Sequence, residues 1–167
     1  KNGNVHLSDL GNDFIDRILF KASAMCLILN PSVNAYRRLD PNFEAPNQIK
    51  ASAVNRTAMV RIPLASEKSA RIEVRSVAPD ANPYMVYYTL LRVGLEGKKQ
   101  KLHKGITPRT KVLPDNIYDA IKFLKRSSFM SEILGEETKN KYIALKQLSA
   151  DRCPKNLGNK VKRSEVV

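Results

Sequence analysis

The stretch from Ser8 to Pro31 limits the possible folds more than any other. Leu10, Phe14, Ile18, Leu19, Ala22, Met25, Cys26 and Leu29 recur at the three- and four-residue spacing of one helix face. Ser8 is suited to cap the start, because its hydroxyl can accept from a backbone N–H that the first turn leaves without a partner. Asn30-Pro31 ends the run, since a residue before proline is pushed out of the α region. A face this apolar has to be covered by the rest of the chain. With 167 residues there is room for one domain with a real core; chains of this size bury roughly 70% of their unfolded surface. The longest apolar run, from Ala24 to Leu29, is far short of the ~20 residues that cross a bilayer. The chain therefore reads as a soluble, globular, non-membrane protein.

Charge is uneven. Residues 1–97 carry 12 Lys and Arg against 9 Asp and Glu, whereas residues 98–167 carry 17 against 7. The overall excess of +13 thus lies mostly in the second half, as scattered lysines. No aromatic-interleaved basic motif accompanies it, so a solvated basic face is favoured over a nucleic-acid surface. Cys26 and Cys153 fit neither a zinc spacing nor a disulfide framework. Cys26 belongs to the apolar helix pattern, and a reducing cytoplasm is the default compartment.

After Pro31 comes an irregular stretch, 31–50, stiffened by Pro31, Pro41 and Pro46. Ala58 to Ile62 and Arg71 to Arg75 read as strands, with a turn at Ser66-Glu67-Lys68-Ser69 and antiparallel pairing as the simplest connection. Asn82-Pro83 starts a second helix, with Met85, Val86, Thr89, Leu90 and Val93 as its buried face and Gly94 and Gly97 marking its end. Residues 98–115 read as a basic loop. Ile117, Ala120, Ile121 and Leu124 predict a short amphipathic helix. Ile133, Leu134, Tyr142, Ile143, Leu145 and Leu148 predict a last helical region interrupted at Gly135. The expectation is an α+β domain: a small antiparallel sheet carrying a site on one face, with helices packed on the other.

Within the second strand the alternation has chemical content. Ile72 and Val74 turn to one side while Arg71, Glu73 and Arg75 line the other. Arginine presents a planar fork of donors that grips carboxylates and phosphates. Arg38, Arg56, Arg61 and Arg75 converging on one pocket would make an anion site. Glu73 among them could hold a divalent cation that bridges phosphate oxygens. The pattern suggests nucleotide-phosphate chemistry with magnesium or manganese. The plain alternative is a strand salt-bridge row of little energetic value.

Three runs in order go further: N-P-S-V-N-A-Y-R-R-L-D-P-N-F-E-A-P from Asn30, S-A-V-N-R-T-A-M-V-R-I-P from Ser52, and A-R-I-E-V-R-S-V-A-P-D-A-N-P-Y from Ala70. Together they resemble the C-terminal part of the catalytic domain of the glutamine synthetase family, and weaker likeness extends over nearly all of residues 1–167. The resemblance implies an ATP-dependent ligase that forms glutamine from glutamate and ammonia through γ-glutamyl phosphate. It implies Arg38 as a glutamate-carboxylate contact and Glu44 as the flap carboxylate that takes a proton from the incoming ammonium. Arg56 would contact both glutamate and ATP, and Arg61 and Lys68 would contact ATP. Glu73 would ligate Mg2+ or Mn2+. Arg75 would steady the transferring phosphoryl group and the glutamyl phosphate, as a further glutamate contact. It further implies a homo-oligomeric ring.

Departures from the family pattern are specific. Val54 stands where the family has the first arginine of S-A-R-N-R, and Asn42 stands in place of a flap glycine. Tyr118 aligns with a tyrosine that some members adenylylate, but the prolines that follow there are absent, so an ordinary helix tyrosine is favoured. Arg71 reads equally as a surface charge, and His6 and His103 as surface residues. The family's earlier metal-binding glutamates and its N-terminal sheet domain have no counterpart in the chain, so it is expected to be a fragment without appreciable synthetase activity alone. The alternatives are a non-catalytic interaction module of the same fold and a related ligase joining glutamate to another amine.

Overall fold

The computed structural model describes residues 7–40, 45–98 and 111–152. Glu44 and Asn42, His6 and His103, Cys153 and the lysine-rich stretch after Pro154 lie outside the described residues, as does most of the predicted basic loop.

Helix α1 spans Asp9–Leu29, and Ser8 Oγ accepts from the N–H of Gly11 at 3.2 Å, as the capping pattern predicts. Asp9 adds a negative charge in the first turn, where the helix dipole favours it. Ile15, Ile18 and Ala22 are buried, and from Met25 to Leu29 every residue is buried. The N-terminal half therefore lies on the core and the C-terminal half runs through it. At the end, the N–H of Asn30 donates to the Cys26 carbonyl at 2.8 Å. Burial pushes the Cys26 thiol up to about 12, with the neighbouring Tyr36 and Asn30 side chains opposing the shift; Asn30 Nδ2 donates to Sγ at 3.7 Å. This is an inert core thiol.

Helix α3 (Pro83–Glu96) and helix α4 (Ile117–Arg126) pack on α1. Asn82 caps α3, its side-chain oxygen accepting from Tyr84 and Met85 N–H at 3.0 and 3.3 Å, with Pro83 in the first turn. Gly97 caps the other end. Gly94, predicted to mark that end, instead lies inside the helix: a Cβ there would fall within the Phe14 ring. Arg17 Nη1 donates to the Gly94 carbonyl at 3.0 Å, so the glycine sets how closely α1 and α3 approach. In α4, Asn116 Oδ1 caps the Asp119 N–H at 2.9 Å. The four residues predicted for its apolar face, Ile117, Ala120, Ile121 and Leu124, are the four that are buried. Helices α5 (Ser128–Leu134) and α6 (Glu136–Asp151) are split by Gly135 at φ 78°, a conformation that glycine adopts without steric cost. Tyr142 on α6 donates to the Leu27 carbonyl at 3.2 Å, and Tyr118 on α4 to the Ala150 carbonyl at 3.1 Å.

The sheet has three strands in the order β1 (Gln48–Ser52), β2 (Ala58–Arg61), β3 (Glu73–Val74). The α+β class stands, and β2 pairs with β3 antiparallel, Val60 opposite Val74 and Arg61 opposite Glu73. The sheet is nevertheless mixed, not purely antiparallel. Strand β1 begins inside the stretch read as irregular, runs two residues past it, and pairs with β2 in parallel, Gln48 opposite Ala58 and Ser52 opposite Arg61. Parallel neighbours usually need a crossover of a dozen residues or more. Here residues 53–57 run back along the strand, a distance that five residues at ~3.3–3.6 Å each can just cover. Ser52 Oγ accepts from Val54 and Asn55 N–H at 3.3 and 3.0 Å, and Asn55 Oδ1 accepts from the Thr57 N–H at 2.8 Å. A short helix α2 (Val33–Arg37), capped by Ser32, also falls inside that stretch. The central strand is buried at Ala58, Met59 and Val60 and emerges at Arg61. There the candidate site begins.

Candidate functional site

Two linked groups of side chains sit at the exposed end of β2 and β3. The first is a run of arginines interlocked through backbone carbonyls. Arg38, at the C-cap of α2, donates from Nη1 to the carbonyl of Arg75 at 3.3 Å. Arg75, just past β3, donates from Nη1 to the carbonyl of Arg56 at 2.5 Å, and its own N–H donates to Met59 at 2.9 Å. Arg56 lies in the return between β1 and β2. Three separate segments are thus held together, Arg56 through its carbonyl, and the like-charged Arg38 and Arg75 lie close enough to act on each other. Burial lowers the pKa of Arg38 from its ordinary value; the carboxylate of Asp80 opposes this and the charge of Arg75 adds to it. Carbonyl oxygens and Asp80 offset part of this crowding, and an anion would offset the rest.

The second group surrounds Glu73. Arg61 faces it across the β2–β3 pair, with Nη1 at 3.5 Å from Oε2. Arg71 approaches from the same strand side, with Nη2 at 3.0 Å from Oε1. Glu73 and Arg75 are two residues apart on an extended segment, so both project to the same side. Of the seven predicted site residues, Arg38, Arg56 and Arg75 are joined by hydrogen bonds, and Arg61 and Glu73 by an ion pair. Lys68 lies on the exposed 3-10 turn Glu67–Ser69, and among the described residues no hydrogen bond or ion pair ties it to the others. Glu44 lies outside the described residues.

Two participants lie outside the predicted site set. Arg71 stands in the predicted strand row and reads equally as a surface charge and as a ligand; in the structure it makes the shorter contact to Glu73. Asp80, within the quoted P-D-A-N-P run, acts on Arg38, and only the fold brings the two together. Ser76, next to Arg75, is buried, and its Oγ has no hydrogen-bond partner among the described residues.

A metal ion makes a definite demand on this geometry. Among the described residues no group of three or more His, Cys, Asp or Glu side chains comes together. Magnesium is commonly held by one or two carboxylates, with phosphate oxygens and waters completing its shell. Glu73 therefore fits as a single protein ligand to an ion that arrives on a phosphate, and not as part of a closed metal cage. Likewise, among the described residues no helix is long and apolar enough to cross a membrane.

With this geometry in place, the comparisons with known proteins are direct. The family model described as glutamine synthetase, catalytic domain, matches residues 1–161. A glutamine synthetase of Methanococcus voltae is 35% identical over 164 aligned residues, covering 89% of this chain and 37% of that protein. One from Clostridium saccharobutylicum is 33% identical, covering 90% and 37%. One from Methanosarcina mazei is 34% identical, covering 83% and 34%. The chain spans a little over a third of the length of these relatives.

Proposed function

This chain belongs to the glutamine synthetase catalytic-domain family, and we propose that it supplies the arginine-rich part of a site that makes glutamine from glutamate, ammonia and ATP. The observation that carries this reading is the Arg38–Arg75–Arg56 interlock lying beside the Arg61–Glu73 pair. Guanidinium groups anchored by backbone carbonyls are pre-oriented, and fixed charge aimed at a phosphoryl group is the main lever in its transfer.

In this reading Arg38 binds a carboxylate of glutamate, and Arg56 lies between glutamate and the nucleotide. Arg61 and Lys68 contact the phosphates. Arg75 stabilises the γ-phosphoryl group as its bond to the β-phosphate oxygen breaks and it moves onto the γ-carboxylate, forming γ-glutamyl phosphate and releasing ADP. Glu44 takes the proton of the incoming ammonium, and the amine then displaces phosphate. Magnesium or manganese bound with the nucleotide would neutralise phosphate charge, with Glu73 as its ligand from this chain. The flap carrying Glu44 keeps water from the acyl phosphate, which would otherwise hydrolyse.

The chain acts here as the C-terminal portion of the catalytic domain, in a cytoplasmic enzyme whose copies assemble into a ring. With Glu73 as the one carboxylate beside the Arg61–Arg71 pair and no cluster of three or more ligating side chains among the described residues, the chain alone binds ligands without appreciable turnover. Calorimetric titration with Mg·ATP tests the reading. The wild-type chain should bind, and Arg75→Gln should weaken binding about tenfold or more, as loss of a charge-assisted contact does. Equal affinity in both proteins would overturn it.

A further inference from the structure

Helix α3 carries two rows of side chains. Val86, Thr89 and Val93 are buried in the core. On the other side Tyr84, Tyr88, Leu91 and Leu95 form a second row, with Tyr87 beside it. These five side chains are 43–85% exposed. The row advances by four, three and four residues, the spacing with which one helix packs lengthwise against another. Its middle is already ordered: the Tyr88 hydroxyl donates to the Ile133 carbonyl at 2.6 Å and accepts from Arg92 Nη1 at 2.9 Å. A ring fixed in this way loses little rotamer freedom when it is covered.

The order of residue types shows which helix fits. Read backwards, the row has leucine where tyrosine stands and tyrosine where leucine stands. A second copy of α3 laid antiparallel sets Tyr84 against Leu95 and Tyr88 against Leu91, and a two-fold axis repeats both pairs. Every layer then holds one ring and one branched aliphatic side chain, so the layers are alike in volume. A parallel pair would set tyrosine on tyrosine and leucine on leucine, and such uneven layers pack poorly. Charge agrees with the antiparallel arrangement. Helix α3 has no acidic residue in its first turn and no basic residue in its last, where Glu96 stands. On its own helix Glu96 lies at the negative end; in the antiparallel pair it comes to the positive end of the other copy. Aromatic side chains offer ~150–250 Å² each, so at these exposures the three tyrosines present roughly 300–500 Å² per copy, to which the leucines add. Two copies together bury on the order of 1,000 Å², the lower bound of a specific interface. An interface of this size makes a reversible dimer.

We propose that the outer face of α3 is a self-association surface, which pairs two copies of this chain antiparallel about a two-fold axis. Such a contact uses one surface twice and closes at two copies, whereas a ring built head to tail needs two different surfaces. The pairing is therefore separate from ring assembly, and it does not rest on the ligase reading.

Sedimentation equilibrium of the full chain tests it. Between about 1 and 200 μM, where a small interface dissociates, monomers should convert to dimers. Leu91→Lys places a charge in the seam and should weaken the dimer more than tenfold. Its far-UV circular dichroism should match wild type, because Leu91 is exposed in the single copy. Disulfide trapping in a Cys153→Ser background reads the register, since Cys26 is buried. Tyr84→Cys mixed with Leu95→Cys should give a cross-linked dimer under mild oxidation, and neither variant alone should do so. A wild-type chain that stays monomeric throughout overturns the proposal and gives the face to a different occupant. Dimers that a folded Leu91→Lys leaves intact overturn it as well. Cross-links in Tyr84→Cys alone mean parallel pairing and overturn the antiparallel arrangement. Should Leu91→Lys lose helicity, the trapping result decides: a cross-link confined to the mixture upholds the pairing, and its absence overturns it.

Discussion

Helix α1 is held by surroundings that are almost wholly apolar, with Ile18, Ala22, Met25 and Leu27 fully buried and α3 and α4 packed alongside. Strand β3, two residues long, presents Glu73 to Arg61 and Arg71 with side chains 30–54% exposed. The first region excludes water, and its geometry follows from close packing. The second stays wet, and its geometry follows from hydrogen bonds to backbone carbonyls. On the proposed reading, stability and ligand recognition are therefore carried by different residues, and substitutions in the two regions should differ in kind.

The largest expected effect lies in the helical core. Ile18→Ala removes a fully buried side chain between packed helices and should cost about 2–5 kcal/mol in urea unfolding. Gly94→Val should be of similar severity, because the new side chain would occupy the space of the Phe14 ring. A loss below about 1 kcal/mol in either would mean that α1 and α3 are not the rigid centre, and the contrast with the sheet edge would fail.

Alkali should act next, and on the same region. The thiol of Cys26 and the phenols of Tyr36 and Tyr142 are all raised by burial. A raised folded-state pKa means that the native state binds more protons than the unfolded chain once pH exceeds the unfolded value. Stability from Cys26 is then complete below about pH 9 and is lost as pH climbs toward about 12. Thermal melts should show Tm falling across that window. Cys26→Ala should reduce the slope, whereas Arg75→Gln should leave it unchanged.

Helix caps give a smaller effect. Asn116→Ala removes the acceptor for the Asp119 N–H and should cost about 1 kcal/mol. A melt indistinguishable from wild type would show that packing of Ile117 and Leu124 alone sets the start of α4.

How far the sequence predicts each region follows the same division. The 3.6-residue spacing of Ile117, Ala120, Ile121 and Leu124 names the buried face of α4 because local periodicity and burial coincide there. The caps at Ser8 and Asn82 and the break at Gly135 are likewise local. Strand β1 escapes such reading, since all five of its residues are half-buried and no alternation shows. On its other side its partner is distant in sequence: the Ile49 N–H donates to Lys111 and the Leu113 N–H to Asn47, both at 2.8 Å. Helix α2 is a single turn, too short for a periodic signal. At the site, the residue types of Arg38, Arg56 and Arg75 are legible as anion binders. The carbonyls of Arg56 and Arg75 that hold them are not, because any residue supplies a carbonyl. Gly94 is ambiguous for a related reason: a glycine near a helix end serves equally as a terminator or as a contact point for a neighbouring ring.

The smallest expected stability change is at Glu73, and it tests the comparison most directly. Removing its charge with Glu73→Gln leaves Arg61 and Arg71 without their shared carboxylate, so some loss is expected. Both guanidinium groups are about half exposed, and water can replace the lost partner. Exposed pairs of this kind contribute ~0–1 kcal/mol, so urea unfolding should shift by no more than that. The same substitution should reduce Mg·ATP affinity by more than its effect on folding accounts for. A stability loss matching Ile18→Ala would mean that the sheet edge is part of the structural core. In that case the arginines around Glu73 would be holding the fold together, with no charge set aside for a ligand.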